Sequence, residues 1–118
     1  MNDKEAIVSL TQSEKIKSGL IWASNCLERL PGPGSTEPRG GEPIAAALVD
    51  MVSAEAILAK RLGNDERWEK VLDCIEKARV MILSGVAPEG VYHLTRALQQ
   101  VTAIGRRALG HLKERGLL

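Results

Sequence analysis

The sequence predicts an all-α fold, an antiparallel four-helix bundle. Apolar residues recur at spacings of three and four in four segments, Gly, Asn and Pro separate those segments, and no segment has the alternating pattern of a half-buried strand. Connections of one to four residues make the last three helices sequential antiparallel neighbours. The predicted helices span about 12–30, 43–62, 65–84 and 88–115.

The composition is that of one ordinary globular domain covering residues 1–118, with 44% hydrophobic and 26% charged residues. The chain has two Trp, one Tyr and no Phe, so it lacks the rings on which single-stranded nucleic acid stacks. A net charge of +1 gives no field toward DNA or an anionic membrane. We therefore expect neither a nucleic-acid partner nor a membrane association.

Helix one is predicted to begin at Thr11-Gln-Ser-Glu14, which has the form of a capping box. Ile7 and Val8 fall outside the apolar stripe that follows, so residues 1–10 are predicted to form a separate arm or short helix. The stripe itself comprises Ile16, Leu20, Ala23, Leu27 and Leu30. After it, residues 31–41 hold three Pro and four Gly, and this composition predicts a mobile linker over 31–42.

Helix two carries two adjacent apolar seams, one of large and one of small residues. Because both seams are apolar, we expect the helix to be contacted from two sides and to be central in the bundle. The large seam is Ile44, Leu48, Met51, Leu58 and Leu62, and the small seam is Ala45, Val49, Val52, Ala56 and Ala59.

Helices three and four are bounded by clear start and stop signals. Asn64 or Asp65 caps helix three, Pro88 opens helix four, and Gly116 ends it. Gly105, in the middle of helix four, predicts a close backbone approach to the small seam of helix two.

Glu55 falls at the centre of the apolar arc of helix two. A buried carboxylate needs a partner, and Arg79 at the edge of the apolar face of helix three is the candidate. The leading interpretation is a buried Glu55–Arg79 pair that fixes the register of the helices. Exposure of Glu55 at an interface and a ligand-binding or acid–base role are the alternatives.

Helix one also carries apolar residues outside its core stripe, Ile21 and Trp22. Together with Ile7 and Val8, they indicate a second packed surface. We expect this surface to mediate self-association or to bind another protein, and the alternative is packing within the chain. The sequence therefore predicts a non-enzymatic protein that acts through protein–protein association, as a homodimer or by docking a partner on helix one.

Two short segments offer other functions. The segment Arg106-Arg-Ala-Leu-Gly-His111 resembles the Arg-x₄–₆-His motif of HEPN ribonucleases, and this resemblance implies an RNA-acting dimer in which Arg106 and His111 meet a phosphate. The segment His93-Leu-Thr-Arg-Ala97 resembles the phosphoacceptor segment of histidine phosphotransfer domains, which are also four-helix bundles, with Arg and Ala in place of the usual Lys and Gly. A small helical ligand-binding or phosphotransfer module is therefore a further alternative.

Metal, cofactor and redox signals are sparse. Glu89 and His93 form a single Glu-x-x-x-His pair, short of the several inward carboxylates and paired motifs of a di-iron bundle, so we expect no metal and no cofactor. Cys26 and Cys74 lie far apart without a CxxC spacing and are predicted to be free, buried thiols. No signal peptide or bilayer-spanning segment is evident, and we expect a cytoplasmic location.

Overall fold

The computed structural model describes residues 1–30 and 41–118 and contains four α-helices, α1 (Asp3–Glu28), α2 (Gly41–Gly63), α3 (Arg67–Leu83) and α4 (Ala87–Glu114). The predicted all-α bundle is confirmed, and the described ranges contain no strand. The predicted linker lies outside the described residues, except for Gly41 and Glu42, which begin α2. No described helix is both long and apolar enough to cross a membrane.

The four helices form a square in which each one packs against two neighbours. Helix α1 contacts α2 and α4, helix α3 contacts the same two, and the diagonal pairs of described helices do not approach closely. The prediction that helix two is central is therefore wrong, since α2 occupies one corner like the others. Gly105 is also placed differently from its prediction: it lies against α1, where an added Cβ would come 2.7 Å from Ser13 Oγ.

Each helix contributes one narrow buried column whose members are mostly three and four residues apart, the spacing of a heptad seam. This column, rather than a wide apolar face, is what each helix turns to the core. The columns are Ala6, Ser9, Ser13, Ile16, Leu20, Ala23 and Leu27 in α1; Ala45, Val49, Val52, Ala56, Ala59 and Gly63 in α2, with Ala46 buried beside them; Trp68, Val71, Ile75, Ala78 and Ile82 in α3; and Gly90, Leu94, Ala97, Val101, Ile104, Ala108 and Leu112 in α4.

Helix α1 begins at Asp3, well before the predicted start at residue 12, so the separate arm predicted over 1–10 is wrong. The capping box is formed by Asn2, whose side chain accepts a hydrogen bond from the Glu5 backbone N–H at 2.8 Å, while the Glu5 carboxylate accepts from the Asn2 N–H at 2.9 Å. The buried column continues through Ser9 and Ser13, which are small and polar and therefore do not stand out in an apolar pattern.

Tight turns join the last three helices. Asn64, between α2 and α3, has a φ of 50°, and Gly85, between α3 and α4, has a φ of 78°. Both residue types tolerate this left-handed region, so these turns can be short. Cys26 and Cys74 are free thiols, as predicted, although both are half-buried rather than fully buried.

Candidate interaction surface

Helix α2 turns its small residues inward and its large residues outward. The small seam predicted in helix two is buried, and Val49, for example, is 1% exposed. In the large seam, Ile44 is 61% exposed and Met51 67% exposed, Leu58 and Leu62 are also exposed, and Leu48 is half-buried. The expectation that both seams are packed within the chain is therefore wrong.

The reason lies in the volume that the other helices already occupy in the core. An added Cβ on Gly19 of α1 would come 2.6 Å from Val52 Cγ2, so α1 and α2 lie too close together for a column of large residues between them. The core is instead filled by large side chains from the remaining helices, which are 1% exposed or less: Ile16, Leu20, Trp68, Ile75, Ile82, Leu94 and Ile104.

The outward residues of α2 form a second heptad-like seam, with spacings of three, four, three and four. We call it the outer stripe; it comprises Ile44, Ala47, Met51, Ala54 and Leu58, all of which are exposed. Ile57, beside it, is 50% exposed. From residue 44 to residue 58 the only charged side chain among the exposed residues is Asp50, whereas the exposed middle of α3 carries Asp73, Glu76 and Lys77.

The predicted partner-binding residues of helix one divide into two rows. Val8 and Trp22 lie seven residues either side of Lys15, which contacts Glu55 of α2, so they are on the α2 side of α1. The antiparallel register, in which Gly19 meets Val52, brings Trp22 level with Leu48. Trp22 is therefore a 70% exposed aromatic side chain on the side of α1 next to α2.

Ile7 and Ile21 belong to the other row. Glu14 lies midway between them, and it lines the groove between α1 and α4. Both isoleucines are exposed, at 51% and 44%, on the side of α1 that is turned toward α4. The structure thus places Val8 and Trp22 on the side of α1 that faces α2, and Ile7 and Ile21 on the side turned toward α4.

Glu55 is not paired with Arg79. Its carboxylate accepts a hydrogen bond from Gln12 Nε2 at 3.0 Å and lies 3.0 Å from Lys15 Nζ. The hydrogen bond from Gln12, followed by that from Lys15, lowers the pKa of Glu55 below its usual value, so this carboxylate is ionised at neutral pH.

Arg79 instead contacts Asp50, with Nε 2.8 Å from Oδ1. The predicted Glu55–Arg79 pair is wrong because Glu55 lies on the side of α2 that faces α1, whereas α3 packs against the opposite side. The Lys15–Glu55 and Arg79–Asp50 pairs consequently flank the outer stripe on its two sides. They leave the stripe itself uncharged between Ile44 and Leu58.

Of the two candidate catalytic residues, His111 contacts a carboxylate of α1. His111 Nε2 lies 2.8 Å from Asp3 Oδ1, and Arg115 contacts the same carboxylate at 3.1 Å. The hydrogen bond from Arg115, followed by that from His111, lowers the pKa of Asp3. These contacts tie the start of α1 to the end of α4, while Arg106 lies in the groove beside Glu14.

His93 is half-buried, and its ring lies edge-on to that of Tyr92 with centroids 5.2 Å apart. Within the part of the chain that the structure describes, no group of three or more His, Cys, Asp or Glu side chains is arranged to hold a metal ion. The chain matches no protein-family model, and no curated protein or solved structure is significantly similar to it.

The functional interpretation of the sequence did not single out the outer stripe. The signal was present, because Ile44, Met51 and Leu58 recur every seventh residue with Ala47 and Ala54 between them. From the sequence, the large seam, to which Ile44, Met51 and Leu58 belong, is expected to be packed in the bundle together with the small seam. In the square arrangement only the small seam of α2 is buried.

Proposed function

We propose that this chain is a protein-interaction module without catalytic activity, and that it binds its partner through an apolar face centred on α2. This α2 face comprises the outer stripe together with Trp22, Leu48, Ile57 and Leu62. The observation that carries the proposal is the absence of charge from the outer stripe over four helical turns, with Met51 67% exposed at its centre. A contiguous exposed apolar patch of this kind marks interaction sites on proteins.

The surroundings of the stripe support the same function. The Lys15–Glu55 and Arg79–Asp50 ion pairs lie on either side of it, so an apolar centre has a charged rim, the usual anatomy of a protein–protein interface. Trp22 adds a large exposed aromatic ring, a residue type enriched among the side chains that dominate binding energy. The two free thiols accord with a reducing compartment, and we propose a cytoplasmic location.

The test is site-specific photo-cross-linking in the cells that produce the protein. A photoreactive side chain is introduced in place of Met51, and a matched control carries it in place of Val80, which is 47% exposed on the outer side of α3. We expect a discrete cross-linked product, with another protein or with a second copy, from position 51 and not from position 80. The absence of any product specific to position 51 would overturn the proposed function.

A further inference from the structure

We infer that the partner on the α2 face is a second copy of this chain, with the two α2 helices packed antiparallel about a two-fold axis between Met51 and Ala54. This inference rests on the proposed function and names its partner. A two-fold dimer requires a surface that is complementary to itself, because the same patch supplies both sides. The outer stripe meets that requirement in shape and in charge.

The shape argument comes from the order of large and small residues. Along the outer stripe, the large residues Ile44, Met51 and Leu58 alternate with the small residues Ala47 and Ala54. When two stripes run antiparallel about the stated axis, Met51 lies opposite the partner's Ala54 and Leu58 lies opposite the partner's Ala47. Each of the four central layers then holds one large and one small side chain, which gives even spacing between the helices along the middle of the seam.

A parallel pair does not have this property. In register, Met51 would meet the partner's Met51, and Ala54 would meet the partner's Ala54. Layers would alternate between two large and two small side chains, so the helices could not be close-packed in both kinds of layer at one separation. The sequence of the stripe therefore favours the antiparallel dimer.

Electrostatics do not oppose this dimer. The net charge of the chain is +1, so two copies repel each other weakly at long range. Asp50 and Glu55, the acidic groups nearest the axis, each have a cation within their own chain. Arg61 comes opposite the partner's Ile44 at the end of the seam, where its long side chain can reach solvent.

Trp22 has a defined place in the dimer. It is level with Leu48, and the antiparallel register brings Leu48 level with the partner's Ile57 and Leu58. The indole therefore flanks the central seam and covers the end of the partner's outer stripe. This position explains why an exposed Trp in α1 lies beside the apolar surface of α2.

The association is tested by light scattering on the purified chain over a dilution series. We expect a dimer for the unaltered chain and, for Met51→Glu, a dissociation constant raised at least about a hundredfold, since the change buries a carboxylate on each side of the axis. The matched control Val80→Glu places the same charge on an exposed apolar position of α3 and should leave the dimer intact. Circular dichroism checks that both variants remain helical.

The orientation is tested by disulfide trapping after Cys26 and Cys74 have been replaced with Ala. Ala47→Cys and Leu58→Cys are made in separate chains, which are then mixed and oxidised. In the antiparallel dimer, position 47 is opposite the partner's position 58, whereas the two copies of position 47 are about 16 Å apart along the seam, too far for a disulfide. We expect cross-links between the two variants and none within either variant alone.

Three results would overturn the inference. First, a purified chain that stays monomeric at about 100 µM would show that this dimer does not form. In that case, a photo-cross-link from position 51 to a different protein in cells would still support the proposed function. A dimer that survives Met51→Glu uses another surface. Disulfides formed within each cysteine variant alone would show a parallel pair in place of the antiparallel one.

Discussion

Gly19 of α1 and Val52 of α2 are matched to each other: a Cβ added to Gly19 would lie 2.6 Å from Val52 Cγ2. The valine side chain is β-branched, so it has few rotamers into which it can retreat. This contact sets the distance between α1 and α2, and that distance in turn excludes the large residues of α2 from the core.

The first prediction follows from this contact. Gly19→Ala should lower the free energy of unfolding by about 1–3 kcal/mol through overpacking, despite the better helix propensity of Ala. The double variant Gly19→Ala/Val52→Ala lacks the methyl groups of Val52 that obstruct the new Cβ. Its loss in free energy of unfolding should therefore be smaller than the sum of the losses in the two single variants. Chemical denaturation of the four proteins measures this coupling, which we expect to be at least about 1 kcal/mol.

Gly110 provides the control for helix propensity, because an added Cβ there would have no neighbour within 4 Å. Gly110→Ala should therefore raise the stability by about 0.5–1 kcal/mol. If Gly19→Ala were as stabilising as Gly110→Ala, the close approach of α1 and α2 would be refuted.

The second prediction concerns the acid limb of the stability curve. The pKa of Asp3 is lower in the folded chain than in the unfolded chain, where it is near 3.8. The contribution of the Asp3 carboxylate to the free energy of unfolding is therefore present above pH 3.8, and it is lost as the pH falls through the folded pKa. Asp3→Asn should thus lower the melting temperature at pH 7. Between pH 7 and pH 3, the melting temperature of this variant should fall less than that of the unaltered chain. The matched change Asp73→Asn removes a carboxylate from the exposed side of α3 and should lower the melting temperature at pH 7 less than Asp3→Asn does.

The third prediction separates the observed ion pairs from the pair expected from sequence. A double-mutant cycle on Asp50 and Arg79 should give a coupling of about 0.2–1 kcal/mol, the usual size for an exposed pair. The equivalent cycle on Glu55 and Arg79 should give none, because the two side chains lie on opposite sides of α2. A coupling confined to Glu55 and Arg79 would contradict the structure.

The fourth prediction uses the two tryptophans, since Trp68 is fully buried and Trp22 is 70% exposed in the single chain. If the proposed dimer forms, iodide should quench the emission of Trp22 in the Met51→Glu variant more than in the unaltered chain at concentrations that favour association. Dilution should remove this difference. Equal quenching in the two proteins at all concentrations would place Trp22 outside the interface.

Much of the fold could be predicted from the sequence because the signals are local. Asn64, Gly85 and Gly116 mark helix ends through backbone preferences that do not depend on the rest of the molecule. The start of α1 was harder to place, since its buried residues there, Ser9 and Ser13, have no apolar signature.

The candidate site was less predictable because it depends on which helices are neighbours. Periodicity showed that α2 has two apolar seams, but the core has room for only one of them. That choice is decided by side chains far away in the sequence, among them Trp68 and Ile104. The partner of Glu55 was misassigned for the same reason: Gln12 and Lys15 lie on a helix whose position relative to α2 a single-helix pattern does not reveal.

The alanine-rich column of α2 has a consequence for local stability. Ala45, Ala56 and Ala59 bury little apolar surface, so α2 is held to the bundle by fewer favourable contacts than α3 or α4. Its amides should exchange with deuterium through a sub-global opening that leaves the other helices folded. Because the proposed dimer seam is on this same helix, association through it should slow that exchange to an extent that rises with the dimer's affinity, so the least protected helix of the monomer would gain the most protection on assembly.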